Sequence, residues 1–187
     1  MRFLYSAVLY CAIPFFFLRM LSRSRKAPQY RRRLAERFAI FPVAEEFLNK
    51  PTIWVHAVSV GETIAAAPIV EDLLARYPDH TLVLTTTTPT GSERVRALFQ
   101  DRVFHVYVPW DLPGAVRRFV KKIRPQLLII METELWPNML HYSAVGGARI
   151  VLANARMSEK SASGYKRLSA LSRPMLASLD KVACQSE

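Results

Sequence analysis

Residues 52–62, TIWVHAVSVGE, constrain the fold more than any other stretch. An apolar, β-branched run breaks into Ser59, Val60 and Gly61 and then one carboxylate, Glu62. Thr52, Ile53, Trp54, Val55 and Val58 suit a strand buried on both faces, and Gly61 offers the backbone freedom of a sharp turn. Downstream, Ile69, Val70, Leu73, Leu74 and Tyr77 recur at steps of three and four, so the apolar period passes from two to about 3.6. Strand, turn and helix in this order open an α/β sheet. Such sheets hold ligands at the carboxyl ends of their strands, where Ser59, Gly61 and Glu62 would lie. A helix-capping acid beside a turn glycine is the competing account of the same residues.

The alternation continues. Residues 81–87, TLVLTTT, read as a second buried strand. It ends in the hydroxyl-rich turn Thr88, Pro89, Thr90, Gly91, Ser92, Glu93, which leads to a helix carrying Val95, Leu98 and Phe99. Residues 104–108 form a short third strand. Asp111 and Pro113 then open a helix with Val116, Phe119, Val120 and Ile123 inward and Arg117, Arg118, Lys121 and Lys122 outward. Those bases are a solvated face or, alternatively, a second membrane-facing patch. Residues 127–131 are the fourth strand, delivering Glu132, Thr133 and Glu134. Residues 148–153 are the fifth, delivering Asn154, Ala155 and Arg156. Strands separated by helices describe a parallel, doubly wound sheet with right-handed crossovers. One rim then carries Ser59, Glu62, residues 88–92, Glu132, Glu134 and residues 154–156. Pro68 lies where the first helix should be under way, which predicts an irregular first turn with residues 62–66 partly in a loop.

Charge is distributed unevenly. The chain carries +11, and residues 1–40 hold nine lysines and arginines against Glu36 alone. Within that stretch, residues 3–18 carry no charge and are bounded by Arg2 and Arg19. Sixteen helical residues span roughly 24 Å, short of a ~30 Å hydrocarbon core. A cleaved signal peptide would need a small-residue cleavage site, yet the chain runs on into Arg19, Met20, Leu21, Ser22 and Arg23. A core helix would have to be followed at once by a dense basic run. A membrane anchor, spanning or interfacial, over residues 1–22 accounts for both features. The basic segment 23–50 would follow it, with residues 19–37 on anionic headgroups and the remainder in the cytoplasm. Nucleic acid is the rival partner for such a run, but no aromatic-studded basic sheet or recognition-helix pattern follows.

Cys11 and Cys184 stand far apart with no CxxC and no metal-ligand spacing, so neither a disulfide framework nor a zinc site is indicated. There is no GxGxxG and no Walker A lysine, which argues against a pyrophosphate site in residues 51–187.

HAVSVGE at 56–62, TTTTPTGSERV at 85–95, PWDLP at 109–113, METELWPN at 131–138 and NARMS at 154–158 together resemble the 3-deoxy-D-manno-octulosonic acid (Kdo) transferases. The basic collar RKAPQYRRRLAERF is part of the resemblance. It implies the N-terminal, Rossmann-like domain of a GT-B glycosyltransferase, inverting and without a metal or other cofactor. The implied donor is CMP-Kdo, bound mainly by a C-terminal domain, and the implied acceptor is the lipid A precursor, held by the N-terminal domain at the cytoplasmic face of the cell inner membrane. The chain stops at what looks like the strand before the domain linker, so residues 51–187 are expected to be the acceptor-binding domain with the donor half absent. A truncated membrane-bound acceptor-recognition module, inactive by itself, is the alternative. Motif by motif, Glu62 matches the general base and Glu132 a residue that stabilises the transition state, although Glu132 could instead cap backbone amides. Ser59, Gly61, Thr88, Gly91, Ser92, Glu134 and Arg156 would line the acceptor site, with Trp136 and Pro137 as its wall. At a helix start the dipole would keep Glu62 ionised, hence a weak base that relies on positioning. His56 reads as a hydrogen-bonded strand-end histidine.

Overall fold

The computed structural model describes residues 1–43 and 45–185. In chain order, the helices are α1 (Arg2–Lys26), α2 (Glu45–Leu48), α3 (Val60–Arg76), α4 (Pro89–Phe99), α5 (Pro113–Ile123), α6 (Pro137–Val145), α7 (Glu159–Arg167) and α8 (Ser169–Leu176). The strands are β1 (Thr52–His56), β2 (Thr81–Thr86), β3 (Phe104–Tyr107), β4 (Pro125–Met131), β5 (Arg149–Ala155) and β6 (Lys181–Cys184). They form one parallel sheet in the order β3-β2-β1-β4-β5-β6. This is the doubly wound, Rossmann-like arrangement, and the strand order reverses between β1 and β4.

The central strands are buried on both faces because they are nearly continuous in apolar and β-branched residues; every residue of β1 and β2 is buried, whereas the edge strand β6 is exposed. On one face Trp54, Leu128, Ile130 and Ile150 meet Phe119 and Val116 of α5 and Met139 and Leu140 of α6. The Trp54 and Phe119 rings lie 4.8 Å apart. On the other face Ile53, Val55, Leu82 and Ile129 meet Val70 and Leu73 of α3 and Val95 and Phe99 of α4. Each fully buried large side chain contributes about 1.5–3 kcal/mol of transfer free energy. Losing Phe119 to alanine would cost about 3–5 kcal/mol.

Two local expectations are corrected. Helix α3 runs unbroken through Pro68, and Glu62 lies in its regular first turn. Pro68 is on the exposed side, so the carbonyl of Ile64 that loses its partner can be solvated. Nor does the turn before α3 need a glycine. Gly61 has no positive φ, and a Cβ there would come no closer than 3.9 Å to Ser59 Oγ.

The basic segment is more closely tied to the sheet than its charge suggests. Arg37 is buried beneath Tyr107, donating to the carbonyls of Val108 and Thr87. Arg33 donates to Glu36, Ser92 Oγ and the His105 carbonyl. Ala39 and Phe41 enter the core. These two arginines hold the fold and cannot rest on a headgroup surface. Helix α1 is longer than its uncharged run. Its 25 residues reach about 37 Å at 1.5 Å each, enough by length and composition to cross a membrane.

Candidate active site at the strand-order reversal

Glu62 is reached from β1 through a variant of the capping box, in which the returning carboxylate accepts from the amide of Val58, one residue before the N-cap. Ser59 is the N-cap of α3, and its Oγ accepts from the Glu62 amide at 3.3 Å. The Glu62 side chain folds back, with Oε1 accepting from Ser59 Oγ at 2.9 Å and Oε2 from the Val58 amide at 2.8 Å. The sequence Ser-Val-Gly-Glu is the S-x-x-E pattern of that motif. The capping role of the carboxylate is therefore real, yet each oxygen accepts one bond here and keeps a second lone pair.

The electrostatics differ from what the helix dipole alone predicts. Burial pushes the Glu62 carboxyl above the usual carboxylate range. The bonds from Val58 and Ser59 oppose the rise, and the nearby charges of Glu134 and Glu132 add to it. Burial leaves Glu62 only 6% exposed. Desolvation outweighs the dipole, and the result is a stronger base than the sequence implies.

Glu132 and Glu134 arrive from the end of β4. Glu132 adopts the left-handed region, φ 57°, with its amide donating to the Ala153 carbonyl at 2.9 Å. A non-glycine residue there costs of order 1 kcal/mol. Glu134 Oε2 accepts from Trp136 Nε1 at 2.9 Å. Asn154, near the end of β5, has φ 55°, beside an irregularity in the pairing with β6. Strained backbone thus lies at the carboxyl ends of β4 and β5. Arg156 follows β5 and is exposed.

The β2–α4 turn contributes differently from residue to residue. Thr88 caps α4, its Oγ1 accepting from the Gly91 amide at 3.1 Å. Gly91 is required by space, since a Cβ would lie 3.0 Å from Thr88 Oγ1 and 3.3 Å from Thr86 Cβ. Ser92 points inward. Its hydroxyl bridges Arg33 Nη1 at 2.9 Å and His105 Nε2 at 2.8 Å, and the residue is buried. The structure therefore brings Ser59, Glu62, Glu132 and Glu134 into one electrostatic group, puts Thr88 and Gly91 on the neighbouring strand end, and ties Ser92 into the fold.

His56 is fully buried. Its Nδ1 pairs with the Thr85 hydroxyl at 2.9 Å, but its Nε2 has no partner among the described residues. Burial drives it down to about 3, so it is neutral. The expected hydrogen-bonded histidine is thus only half satisfied. Sequence reasoning missed a second buried acid. Asp111 accepts from the amides of Asn138 and Met139 at 2.9 and 2.7 Å, and so caps α6, not the α5 it precedes in sequence. It also accepts from the Tyr5 hydroxyl of α1 at 3.0 Å. Among the described residues no group of three or more His, Cys, Asp or Glu side chains is placed to hold a metal ion.

The comparisons point one way. A family model described as 3-Deoxy-D-manno-octulosonic-acid transferase (kdotransferase) matches residues 32–187. The 3-deoxy-D-manno-octulosonic acid transferase of Haemophilus influenzae is 43% identical over 185 residues, 98% of this chain and 43% of the relative. That of Bordetella pertussis is 39% identical over 140 residues, 72% of this chain and 32% of the relative. A probable mitochondrial 3-deoxy-D-manno-octulosonic acid transferase of Arabidopsis thaliana is 37% identical over 172 residues, 89% of this chain and 36% of the relative. The chain thus spans less than half the length of the curated relatives it matches. Among solved structures, a UDP-N-acetylglucosamine 2-epimerase superposes with TM-score 0.52 at 13% identity, over 72% of this chain and 42% of that one. At that identity the likeness concerns the fold alone.

Proposed function

The chain belongs to the 3-deoxy-D-manno-octulosonic-acid transferase family, and from that premise we propose that it forms the acceptor side of an inverting, metal-independent GT-B glycosyltransferase in lipopolysaccharide biosynthesis. The donor is CMP-Kdo and the acceptor the lipid A precursor. The donor site belongs to the portion of the relatives that this chain does not cover. The observation that carries the reading is the carboxylate group at the strand-order reversal, with Glu62 buried and its proton affinity raised by burial and by Glu134 and Glu132.

In the reaction, a hydroxyl of the acceptor sugar gives its proton to Glu62 as its oxygen bonds to the anomeric carbon of Kdo. The bond from that carbon to the CMP phosphate oxygen breaks on the opposite face, and CMP leaves with the electron pair. A carboxylate whose proton affinity is raised by burial takes the proton more readily than an ordinary surface one. Glu132 stabilises positive charge developing on the sugar, and Glu134 lines the acceptor site. Ser59, Gly61, Thr88, Gly91 and Arg156 line it too, with Gly61 exposed at the helix N-terminus.

The protein works at the cytoplasmic face of the inner membrane, with α1 lying in the interface. One face of α1 is turned to the domain along its length: Arg2 donates to Asn138 at 3.1 Å, Tyr5 to Asp111, Ser6 is buried, Phe16 packs 6.0 Å from Trp110, and Ser24 is buried under Arg31. Phe3, Leu4, Val8, Phe15, Leu18 and Leu21 face outward and exposed. A helix held along its side leaves this stripe for lipid in the plane of the membrane.

The test is a transfer assay with a protein of the relatives' full length that contains this chain, supplied with CMP-Kdo and the lipid A precursor, with and without a chelator. Transfer that survives the chelator supports the reading. Transfer to a water-soluble acceptor but never to the lipid would sink it.

A further inference from the structure

Between the C-terminal half of α1 and the carboxyl rim of the sheet lies a cleft of about 150 Å³, room for roughly five waters. Phe16, Trp110 and Trp136 form its aromatic walls, and Arg19, Arg23 and Arg37 its cations. Arg19 and Arg23 are four residues apart, so they leave one face of α1 together. Both are exposed, and neither has an acidic partner among the described residues. The Arg23 guanidinium stands 5.8 Å from the Tyr30 ring centroid. Arg37 is committed to two carbonyls at the back and adds a fixed positive charge. Among the described residues lining the cleft none carries a carboxylate.

The cleft touches both ends of the functional reading. At its inner end Thr87 donates through Oγ1 and its amide to the Val58 carbonyl, and the Val58 amide donates to Glu62. Trp136, in its wall, donates to Glu134. At its outer end the helix that supplies Phe16 and Arg19 presents Phe15 and Leu18 to the outside. Two guanidinia without an acidic partner among the described residues, one of them over the Tyr30 ring, joined through Val58 to a proposed base and adjoining an apolar stripe, suit an anion joined to hydrocarbon.

We propose that this cleft binds a phosphomonoester on the head of a membrane amphiphile, with Arg19 and Arg23 as its ligands, and so sets the acceptor sugar against Glu62. A dianionic phosphomonoester offers several oxygens to two forked guanidinia, whereas a phosphodiester offers fewer free oxygens and one charge. The proposal rests on the acceptor-side reading above and deepens it.

The protein is mixed with phosphatidylcholine vesicles doped with phosphatidic acid, a phosphomonoester, or with phosphatidylglycerol, a phosphodiester, at matched surface potential. Wild type is expected to bind the first about tenfold more tightly, the preference typical of a forked charge-assisted contact. Arg19→Gln/Arg23→Gln should erase that preference, weakening binding to both anionic vesicles but leaving binding to pure phosphatidylcholine vesicles within about twofold, because the apolar stripe is intact. Arg117→Gln/Lys121→Gln, on the outer face of α5, should keep it. A preference that survives in the Arg19/Arg23 variant overturns the site. Equal displacement by inorganic phosphate at the same concentration overturns the lipid assignment, since it would mark a free-anion site. In the transfer assay the Arg19/Arg23 variant should act on the KM for the lipid acceptor rather than on kcat. Absence of transfer in wild type would refute the functional reading and leave the vesicle result standing.

Discussion

The Tyr5 hydroxyl donates to Asp111 Oδ2 at 3.0 Å, joining the first helix to an acid 106 residues away. The same carboxylate holds the first two amides of α6, so one buried group couples α1, the α5 entry and the helix that follows the Glu132–Glu134 loop. Tyr5→Phe removes only the hydroxyl. A hydrogen bond to a charged group contributes about 1.5–3 kcal/mol. The variant should unfold at lower urea concentration in detergent, and limited proteolysis should cut the α1 connection sooner.

Asp111 also makes stability depend on pH. Burial lifts its carboxyl to about 7, against the opposing amide bonds of Asn138 and Met139, the Tyr5 hydroxyl and the Arg2 charge. Folding therefore takes up a proton between the unfolded value near 4 and about 7, and its contribution falls as pH rises across that window. His56 and His105, driven down to about 3 and about 4 mainly by burial, act in the opposite sense, since their contribution is lost as pH falls below about 6.5. Urea unfolding of wild type and Asp111→Asn at pH 5 and pH 8 isolates the acid. The gap between the two proteins should be larger at pH 5, and an equal gap at both would remove Asp111 from the pH dependence.

Glu62→Gln retains a capping-box residue, because glutamine serves at that position as glutamate does, but cannot accept the hydroxyl proton. Transfer by the longer protein should fall by about 10²–10⁴, with the unfolding midpoint nearly unchanged. Turnover and thermal unfolding on one preparation decide. Near-normal turnover in a folded variant would leave Glu62 a cap and nothing more.

The carboxylates around Glu62 should be visible in the pH profile of transfer. Since Glu134 raises the proton affinity of Glu62, Glu134→Gln should move the acid limb of kcat/KM to lower pH, the sign expected when a neighbouring anion is removed. A limb that stays in place means that Glu62 does not titrate in the free enzyme's profile.

Two glycines of the rim should behave in opposite ways. Gly91→Ala puts a Cβ 3.0 Å from Thr88 Oγ1 and 3.3 Å from Thr86 Cβ, and overpacking of this kind costs about 1–3 kcal/mol. Gly61→Ala meets only an ordinary contact and should stabilise α3 by about 0.5–1 kcal/mol. If Gly61→Ala nonetheless weakens acceptor binding in the same protein, the exposed side of Gly61 belongs to the ligand.

Much of this was readable from one dimension because its causes are local. Runs such as TIWVH and TLVLTT can bury both faces only in a parallel sheet, the step to a period of 3.6 marks α3 and α5, and S-x-x-E at residues 59–62 states the capping box. The motifs at the strand ends followed, since alternating strands and helices deliver every strand's carboxyl end to one rim. Tertiary structure decided what depends on partners distant in sequence. Pro68 stays inside α3 because its lost bond faces solvent. Arg33 and Arg37 leave the charged surface for carbonyls of β3 and the loops after β2 and β3, and Ser92 turns inward to meet Arg33 and His105. Asp111 caps the helix packed against it instead of the helix that follows it. The proton affinity of Glu62 belongs to the same class: a dipole argument from sequence sees the helix start, whereas the desolvation that overrides it, and the two carboxylates that add to it, exist only once β1 and β4 lie side by side.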